Sequence, residues 1–255
     1  MSFFELSAEE KRYFHFKPRG QFDTEPHFHS AIEFLFTEQG EQEVIIGGEK
    51  RILHAGDACF SDSFCVHSYN FAPHTDAYVL LGEKSYFEKF FLSQDGKVPP
   101  RFFKFHNFEL LKNLLQLCEK SYQNNVAQQA VFEGSVHILL AMIAEETEFV
   151  AREVDKQTSF IANVLHYAQN NLKSDLSLSG LSRAFGYSQE HLSRLLHKYL
   201  AENWTTYVNR LRARQAHALL QENGSVLDIA LDCGFDSLST FYRAYHLEYG
   251  KNPRR

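Results

Sequence analysis

The chain has 255 residues, 44% of them hydrophobic and 23% charged, with 24 Phe; this is ordinary globular composition, rich enough in apolar mass for two domains, and it excludes a disordered chain. The formal charge of −6 conceals a split, because residues 160–255 carry 11 Lys+Arg against 8 Asp+Glu, a net of +3, which leaves −9 on residues 1–159. Any nucleic-acid contact is therefore expected in the C-terminal third.

The N-terminal stretch MSFFELSAEEKRYF has no basic region followed by an apolar run, so it does not resemble a secretory signal. The longest apolar run, around HILLAMIA, is shorter than a bilayer requires, and the expectation is a cytoplasmic protein without membrane contact. Cys59, Cys65, Cys118 and Cys233 lack CxxC spacing and sit among apolar neighbours, which points to reduced, buried thiols rather than disulfides or a zinc site.

From about residue 13 to 82, short apolar stretches alternate with turn formers. IEFLFTEQGEQEVIIGGEKRILHAGDACF predicts strand, turn, strand, a Gly47-Gly48 hairpin, strand, and a Gly56-Asp57 turn into a further strand: a small antiparallel barrel or sandwich. After Pro99-Pro100 the pattern becomes helical, with Leu110, Leu111, Leu114, Leu115, Leu117 and Cys118 in one segment (107–121) and Val131, Ile138, Leu139, Met142 and Ile143 in the next (128–149). Such a helical hairpin can cover the barrel, form a dimer seam or serve as plain core. Residues 150–158 are polar without periodicity, which sets the expected organisation as a first domain over 1–150, a linker over 151–158 and a second domain over 159–255. From residue 159 the pattern is helical throughout, with short helices expected near 178–185, 188–200, 204–222, 226–233 and 237–249.

That last region repeats itself. Leu181, Gly186 and Tyr187 recur 48 residues later as Ile229, Gly234 and Phe235; Ser188, Leu192, Arg194 and Leu196 recur at an offset of 49 as Ser237, Phe241, Arg243 and Tyr245. Each unit is a short helix ended by Gly, an aromatic, a Ser able to cap, and a longer helix with Arg in its second turn, which is helix-turn-helix grammar. Between them, WTTYVNRLRARQAHALLQENG supplies a spacer helix with Arg210 and Arg214 one turn apart. At ~18 residues it is ~27 Å long, suited to setting two recognition helices roughly 34 Å apart in successive major grooves.

The segment LSLSGLSRAFGYSQEHLSRLLHKYL…GFDSLSTFYRAY…YGKNP resembles the double helix-turn-helix domain of AraC-type transcriptional regulators over about residues 160–255. The resemblance implies double-stranded DNA as partner, with DNA-facing positions at Glu190, Ser193 and Arg194 in the first unit and Leu238, Ser239, Thr240 and Arg243 in the second. The arginines can donate two hydrogen bonds to guanine or pair with phosphate, and Glu190 can accept from a cytosine amino group. Ala201 stands where the family usually has Gly, and His246, Leu247 and Glu248 stand where basic residues are common; the latter predicts fewer phosphate contacts and a shallower salt dependence.

PHFHSAIEF, residues 26–34, holds the other conspicuous pattern. If His27 to Leu35 is one strand, His27, His29, Ala31, Glu33 and Leu35 share a face, while Phe28, Ile32, Phe34 and Phe36 share the other. The spacing from Gly20 through HxH and Glu33 to Gly40 resembles the first cupin motif; GDACFSDSFCVHSYN resembles the second, keeping Gly56 and His67 but with Asp62 and Phe64 in place of Pro and Gly. By that resemblance His27, His29, Glu33 and His67 form a ligand set suited to Fe, Mn, Ni or Zn. Three uses of these residues are open: a metal-dependent oxygenase or isomerase, an effector-binding lining for a hydroxyl-rich molecule such as a sugar, or a hydrogen-bonded core network. Attachment to a DNA-binding domain favours the second. The expectation is an α+β protein of two domains, a cupin-like β-barrel with a helical hairpin followed by an all-α double helix-turn-helix. Functionally it is expected to be no enzyme and to need no cofactor beyond a possible divalent metal at those four residues. As an AraC-type regulator it is expected to be a homodimer, with RNA polymerase as a further partner.

Overall fold

The computed structural model describes residues 3–4, 14–17, 24–122, 125–153, 156–200, 203–220 and 225–253. The chain forms two compact units that divide between Asp155 and Lys156.

Among the described residues the first unit has ten strands shared between two sheets. They are β1 (Phe3–Phe4), β2 (Phe14–Lys17), β3 (Thr24–Phe28), β4 (Ile32–Gln39), β5 (Glu41–Ile46), β6 (Glu49–His54), β7 (Asp57–Ser61), β8 (His67–Phe71), β9 (Asp76–Gly82) and β10 (Phe102–Lys104). One sheet has the order β1-β3-β8-β5-β6 and the other β10-β7-β4-β9-β2. The Gly47-Gly48 turn joins β5 to β6 with both glycines at positive φ (56° and 84°), the handedness a two-residue hairpin needs. Inner-facing residues of both sheets, among them Leu35, Val44, Ile46, Tyr69, Val79 and Leu81, meet in one buried cluster.

Strand β4 is buried on both faces, and the reason is the helices. Its Ile32, Phe34 and Phe36 point away from the barrel interior into a second core shared with α1 (Lys84–Leu92), α2 (Phe108–Ser121) and α3 (Val126–Glu146). Asn107 caps α2 and Asn125 caps α3, each accepting from the backbone N–H three residues on. Helix α3 has the length and hydropathy of a membrane span, yet its Phe132, Val136, Leu139, Leu140 and Ile143 are buried in this core. Of the expected helical residues, Leu110, Leu117, Val131 and Ile138 instead face solvent, each at least 40% exposed. The hairpin thus covers the sheet with one side only. The sequence pattern does not mark helix α1; Phe87 and Phe91, one turn apart, are its buried anchors, with Tyr86 and Phe90 packed partly buried beside them.

The polar segment after the hairpin is not free linker throughout. Val150 exchanges two backbone hydrogen bonds with Val98 (3.0 and 2.8 Å), Arg152 pairs with Asp62 and Glu88, and α4 already begins at Lys156. The connecting stretch expected at 151–158 is accordingly shorter.

Among the described residues the elements of the second unit are all helices: α4 (Lys156–Asn170), α5 (Leu178–Phe185), α6 (Gln189–Tyr199), α7 (Trp204–Leu220), α8 (Val226–Asp232) and α9 (Leu238–Tyr249). Helix α7 is the shared wall. Its Trp204 donates through Nε1 to the Leu176 carbonyl at 2.6 Å ahead of the first repeat, while its Ala213 and Ala216 pack with Ile229, Phe235, Phe241 and Tyr245 of the second.

Candidate functional site

The four residues singled out in the first unit do come together, though not on one strand. β3 ends at Phe28, the chain bends at Ser30–Ala31, and β4 begins in the other sheet. The expected strand from His27 to Leu35 is therefore two strands joined at a sheet crossing, with His29 in the joint. A second crossing lies beside it, where β7 ends at Ser61 and β8 starts at His67, opposite His27. The two crossings are tied by the Phe64 N–H donating to the His29 carbonyl at 2.7 Å.

His27, His29, Glu33 and His67 are all 3% exposed or less. Each histidine turns Nδ1 toward a backbone carbonyl, which can only accept: Glu25 for His27 (2.9 Å), Ala31 for His29 (3.0 Å) and Cys65 for His67 (2.9 Å). The proton therefore sits on Nδ1 in all three, and the Nε2 lone pairs are left for the interior. One ligand atom from each of the three rings lies within 4.8 Å of the others. Glu33 Oε2 is 3.0 Å from His29 Nε2 and 3.6 Å from His67 Nε2, and Glu33 Oε1 accepts from the Tyr69 hydroxyl at 2.5 Å.

This arrangement calls for one positive charge. A carboxylate facing an imidazole that is already protonated at Nδ1 needs either a second proton on that ring or a metal ion between them. Burial works to raise the Glu33 pKa, but the approach of His29 and His67 outweighs it and holds the carboxyl well below its usual value. Burial, followed by the charge of Glu33, pushes the Tyr69 phenol well up. His67 Nε2 is buried without a hydrogen-bond partner, an expensive state for a polar atom. Three Nε2 donors oriented by Nδ1–H bonds to fixed carbonyls, one of them otherwise unmet, are the donor set and outer support a divalent first-row metal takes. The residues present fit such an ion.

Phe64 holds φ +61° where the cupin pattern has glycine. The left-handed turn of the motif is kept without its glycine, at a cost of ~1–2 kcal/mol. Tyr69 and Ser61 belong to the cluster but were not singled out in the sequence: Tyr69 stands two residues after His67 and so shares its face of β8, and Ser61 Oγ lies 2.9 Å from His67 Nδ1. Gly20, the first residue of the motif, lies outside the described residues, as does Ala201.

In the second unit the two repeats close as their grammar requires. Ser188 and Ser237 accept from the N–H of His191 and Thr240, capping α6 and α9; Gly186 and Gly234 take positive φ (71° and 87°) at the preceding turns. On α6, Glu190, Ser193 and Arg194 are exposed; on α9, Ser239 and Arg243 are exposed and Leu238 and Thr240 half-buried. Neither Arg194 nor Arg243 has an acidic partner within ion-pair distance among the described residues. The expectation for residues 246–248 changes in part. Glu248 does not stand among phosphate-facing positions: its carboxylate accepts from Arg210 Nε at 2.6 Å and Arg214 Nε at 2.5 Å, clamping α9 to the spacer helix. Arg210 and Arg214 are committed to that clamp, while His246 and Leu247 remain exposed.

The fold and these two sites define a class: a ligand-type β-barrel joined to a paired helix-turn-helix. Family comparison agrees with both halves, a cupin domain model matching residues 12–81 and a helix-turn-helix domain model matching residues 181–255. The HTH-type transcriptional activator RhaS of Escherichia coli O6:H1 is 25% identical over 252 residues, covering 92% of this chain and 87% of that protein. Among solved structures, a Listeria innocua protein of unknown function is 30% identical over 36% of this chain and 90% of its own (TM-score 0.35). ToxT of Vibrio cholerae, solved with a bound unsaturated fatty acid, is 10% identical over 95% of this chain and 94% of its own (TM-score 0.45). The chain is a DNA-binding transcriptional regulator of the AraC type, with an N-terminal cupin domain.

Proposed function

We propose that this regulator reads duplex DNA through Glu190, Ser193 and Arg194 on α6 and Leu238, Ser239, Thr240 and Arg243 on α9, under control of a small effector held by His27, His29, Glu33 and His67. The observation that carries the DNA reading is the pair of serine-capped helices, each presenting to solvent an arginine without an acidic partner among the described residues. The fixed spacer length allows both helices to enter successive major grooves. Wild-type protein is used to enrich binding sequences from a random DNA pool, and Arg194→Ala with Arg243→Ala is expected to abolish retardation of the enriched DNA at moderate salt; normal binding by the double variant would put the interface elsewhere.

For the effector, an interior of imidazole, carboxylate and phenol suits a molecule rich in hydroxyls, and a sugar is the first candidate. A second reading, favoured by the three Nδ1-anchored histidines, is a divalent metal held by His27, His29 and His67 with Glu33 alongside; when bound it would supply a Lewis-acid centre for an oxygen of the effector. A thermal-shift screen of sugars and of Zn²⁺, Mn²⁺, Ni²⁺ and Fe²⁺ separates these, because only a ligand of the native state raises Tm. No shift with any of them in wild type, or an unchanged shift in His67→Ala, argues for a mere core network.

The activator name of the relative supports a regulatory rather than catalytic role; work in the cytoplasm and contact with RNA polymerase belong to the proposal. Homodimerisation is assigned to the solvent side of the helical hairpin, where α2 shows Leu110 and Leu117 and α3 shows Val131 and Ile138, each pair seven residues apart.

A further inference from the structure

The four residues of the interior cluster are almost fully buried, and the part of their surroundings with reason to move is the crossing from Ser61 to His67. Three of its contacts face the cluster: Phe64 N–H on the His29 carbonyl, Cys65 O on His67 Nδ1, and Ser61 Oγ beside the same Nδ1. A fourth points away. Asp62 Oδ2 lies 2.6 Å from Arg152 Nε, and Arg152 Nη1 donates to Glu88 Oε1 at 2.8 Å while its guanidinium lies over the Phe91 ring, 5.7 Å from the centroid. Arg152 stands four positions before Lys156, the first residue of α4, and its neighbours are fastened too, Val150 to Val98 and Glu153 to Arg101.

We propose that Asp62 and Arg152 form the joint by which the state of the interior site acts on the segment leading into the DNA-binding unit. Arg152 is a positioning residue for the His67 loop, acting through Asp62, and the same ion pair holds residues 150–153 against the barrel. The proposal rests on the effector reading above for its biological use, but not for its mechanics. Two features give the joint a reason to switch. Phe64 keeps the loop in a left-handed turn that a non-glycine residue disfavours, and Arg152 Nε and Nη2 are both buried without a hydrogen-bond acceptor, Nε meeting Asp62 as an ion pair only, so the closed arrangement leaves both ends of the joint incompletely satisfied. A shift of the loop that relaxes Phe64 pulls Asp62 with it and alters the hold on Arg152. Coupling then needs no contiguous path beyond five residues of loop and one ion pair.

The test is a double-mutant cycle read by amide hydrogen exchange in the full-length protein without ligand, following peptides that span Val150 to Glu153. Phe64→Gly and His67→Ala perturb the loop from the cluster side. Each is expected to change exchange at 150–153 by roughly threefold or more with Arg152 present, and by less than about 1.5-fold in Arg152→Ala, as residues coupled through one network do. Asp62→Asn, which keeps volume and removes charge, should reproduce Arg152→Ala if that variant folds poorly. Arg152→Lys, which retains the charge, should keep part of the response; a purely structural role would not distinguish lysine from alanine. Equal changes in both backgrounds, or no change in either, overturn the proposal. Because no effector enters the cycle, its failure is separable from failure of the effector reading, which the thermal-shift screen decides alone.

Discussion

At the scale of single residues, Glu248 shows most clearly how position and partner decide a role. Only 5% of its side-chain surface is exposed, against arginine side chains that are 31% and 17% exposed. Removing it takes a buried carboxylate acceptor from two arginines, one of them largely desolvated, and the cost for Glu248→Ala is expected at about 2 kcal/mol after allowance for solvent screening. Urea unfolding checks this, and a midpoint unchanged from wild type would mean that the clamp contributes nothing. Cys118 offers a prediction with a sign. Burial pushes its thiol from 9.0 up to about 12, so the folded state keeps a proton that the unfolded chain releases above pH 9. The contribution is whole below pH 9 and is lost as pH rises toward 12. Cys118→Ala, whatever it costs through lost packing, should flatten the alkaline fall in stability over that window; an identical slope would contradict the burial argument.

At the scale of elements, the two repeats look equivalent in sequence but are not in structure. A Cβ on Gly186 meets nothing within 4 Å, whereas one on Gly234 falls 2.2 Å from the Leu172 carbonyl oxygen, backbone that cannot yield. Gly186→Ala thus carries only the left-handed penalty of about 1–2 kcal/mol, while Gly234→Ala adds a steric clash and should cost at least ~3 kcal/mol. Differential scanning calorimetry of the two variants ranks them directly. Much of this unit was legible beforehand because caps, turn glycines and helical faces are local, written in residues one to four apart. The first unit resisted where the signal was not local. PHFHSAIEF keeps the same in-and-out alternation across a sheet crossing, so one strand and two look alike in it. KSYFEKFFL hides α1 because nine residues with two adjacent aromatic pairs one turn apart, Tyr86-Phe87 and Phe90-Phe91, are too short a ladder to stand out. Glu248 was assigned from what the family carries at its position, although Arg210 and Arg214 at one-turn spacing were already visible as a ready pair of partners.

At the scale of the whole molecule, the consequence to be measured is how many phosphates one binding event neutralises. Each phosphate contact contributes about −0.9 to the slope of log K against log [salt] on B-DNA. One chain brings Arg194 and Arg243 and little else basic on the recognition helices, since Arg210 and Arg214 are spent on Glu248. A monomer should then give a shallow slope, and a dimer on two half-sites about twice that slope. Leu117→Asp with Ile138→Asp places charge on the exposed apolar side of both hairpin helices, 41% and 52% open to solvent, where the folded first unit tolerates it but an apolar dimer seam does not. Sedimentation of the double variant is expected to show a monomer, and its salt slope on a two-half-site duplex should fall to about half the wild-type value, the recognition helices themselves being untouched. A variant that still sediments as a dimer removes the hairpin from the interface. A monomer with an undiminished slope means instead that one chain, through both of its recognition helices, accounts for the whole footprint.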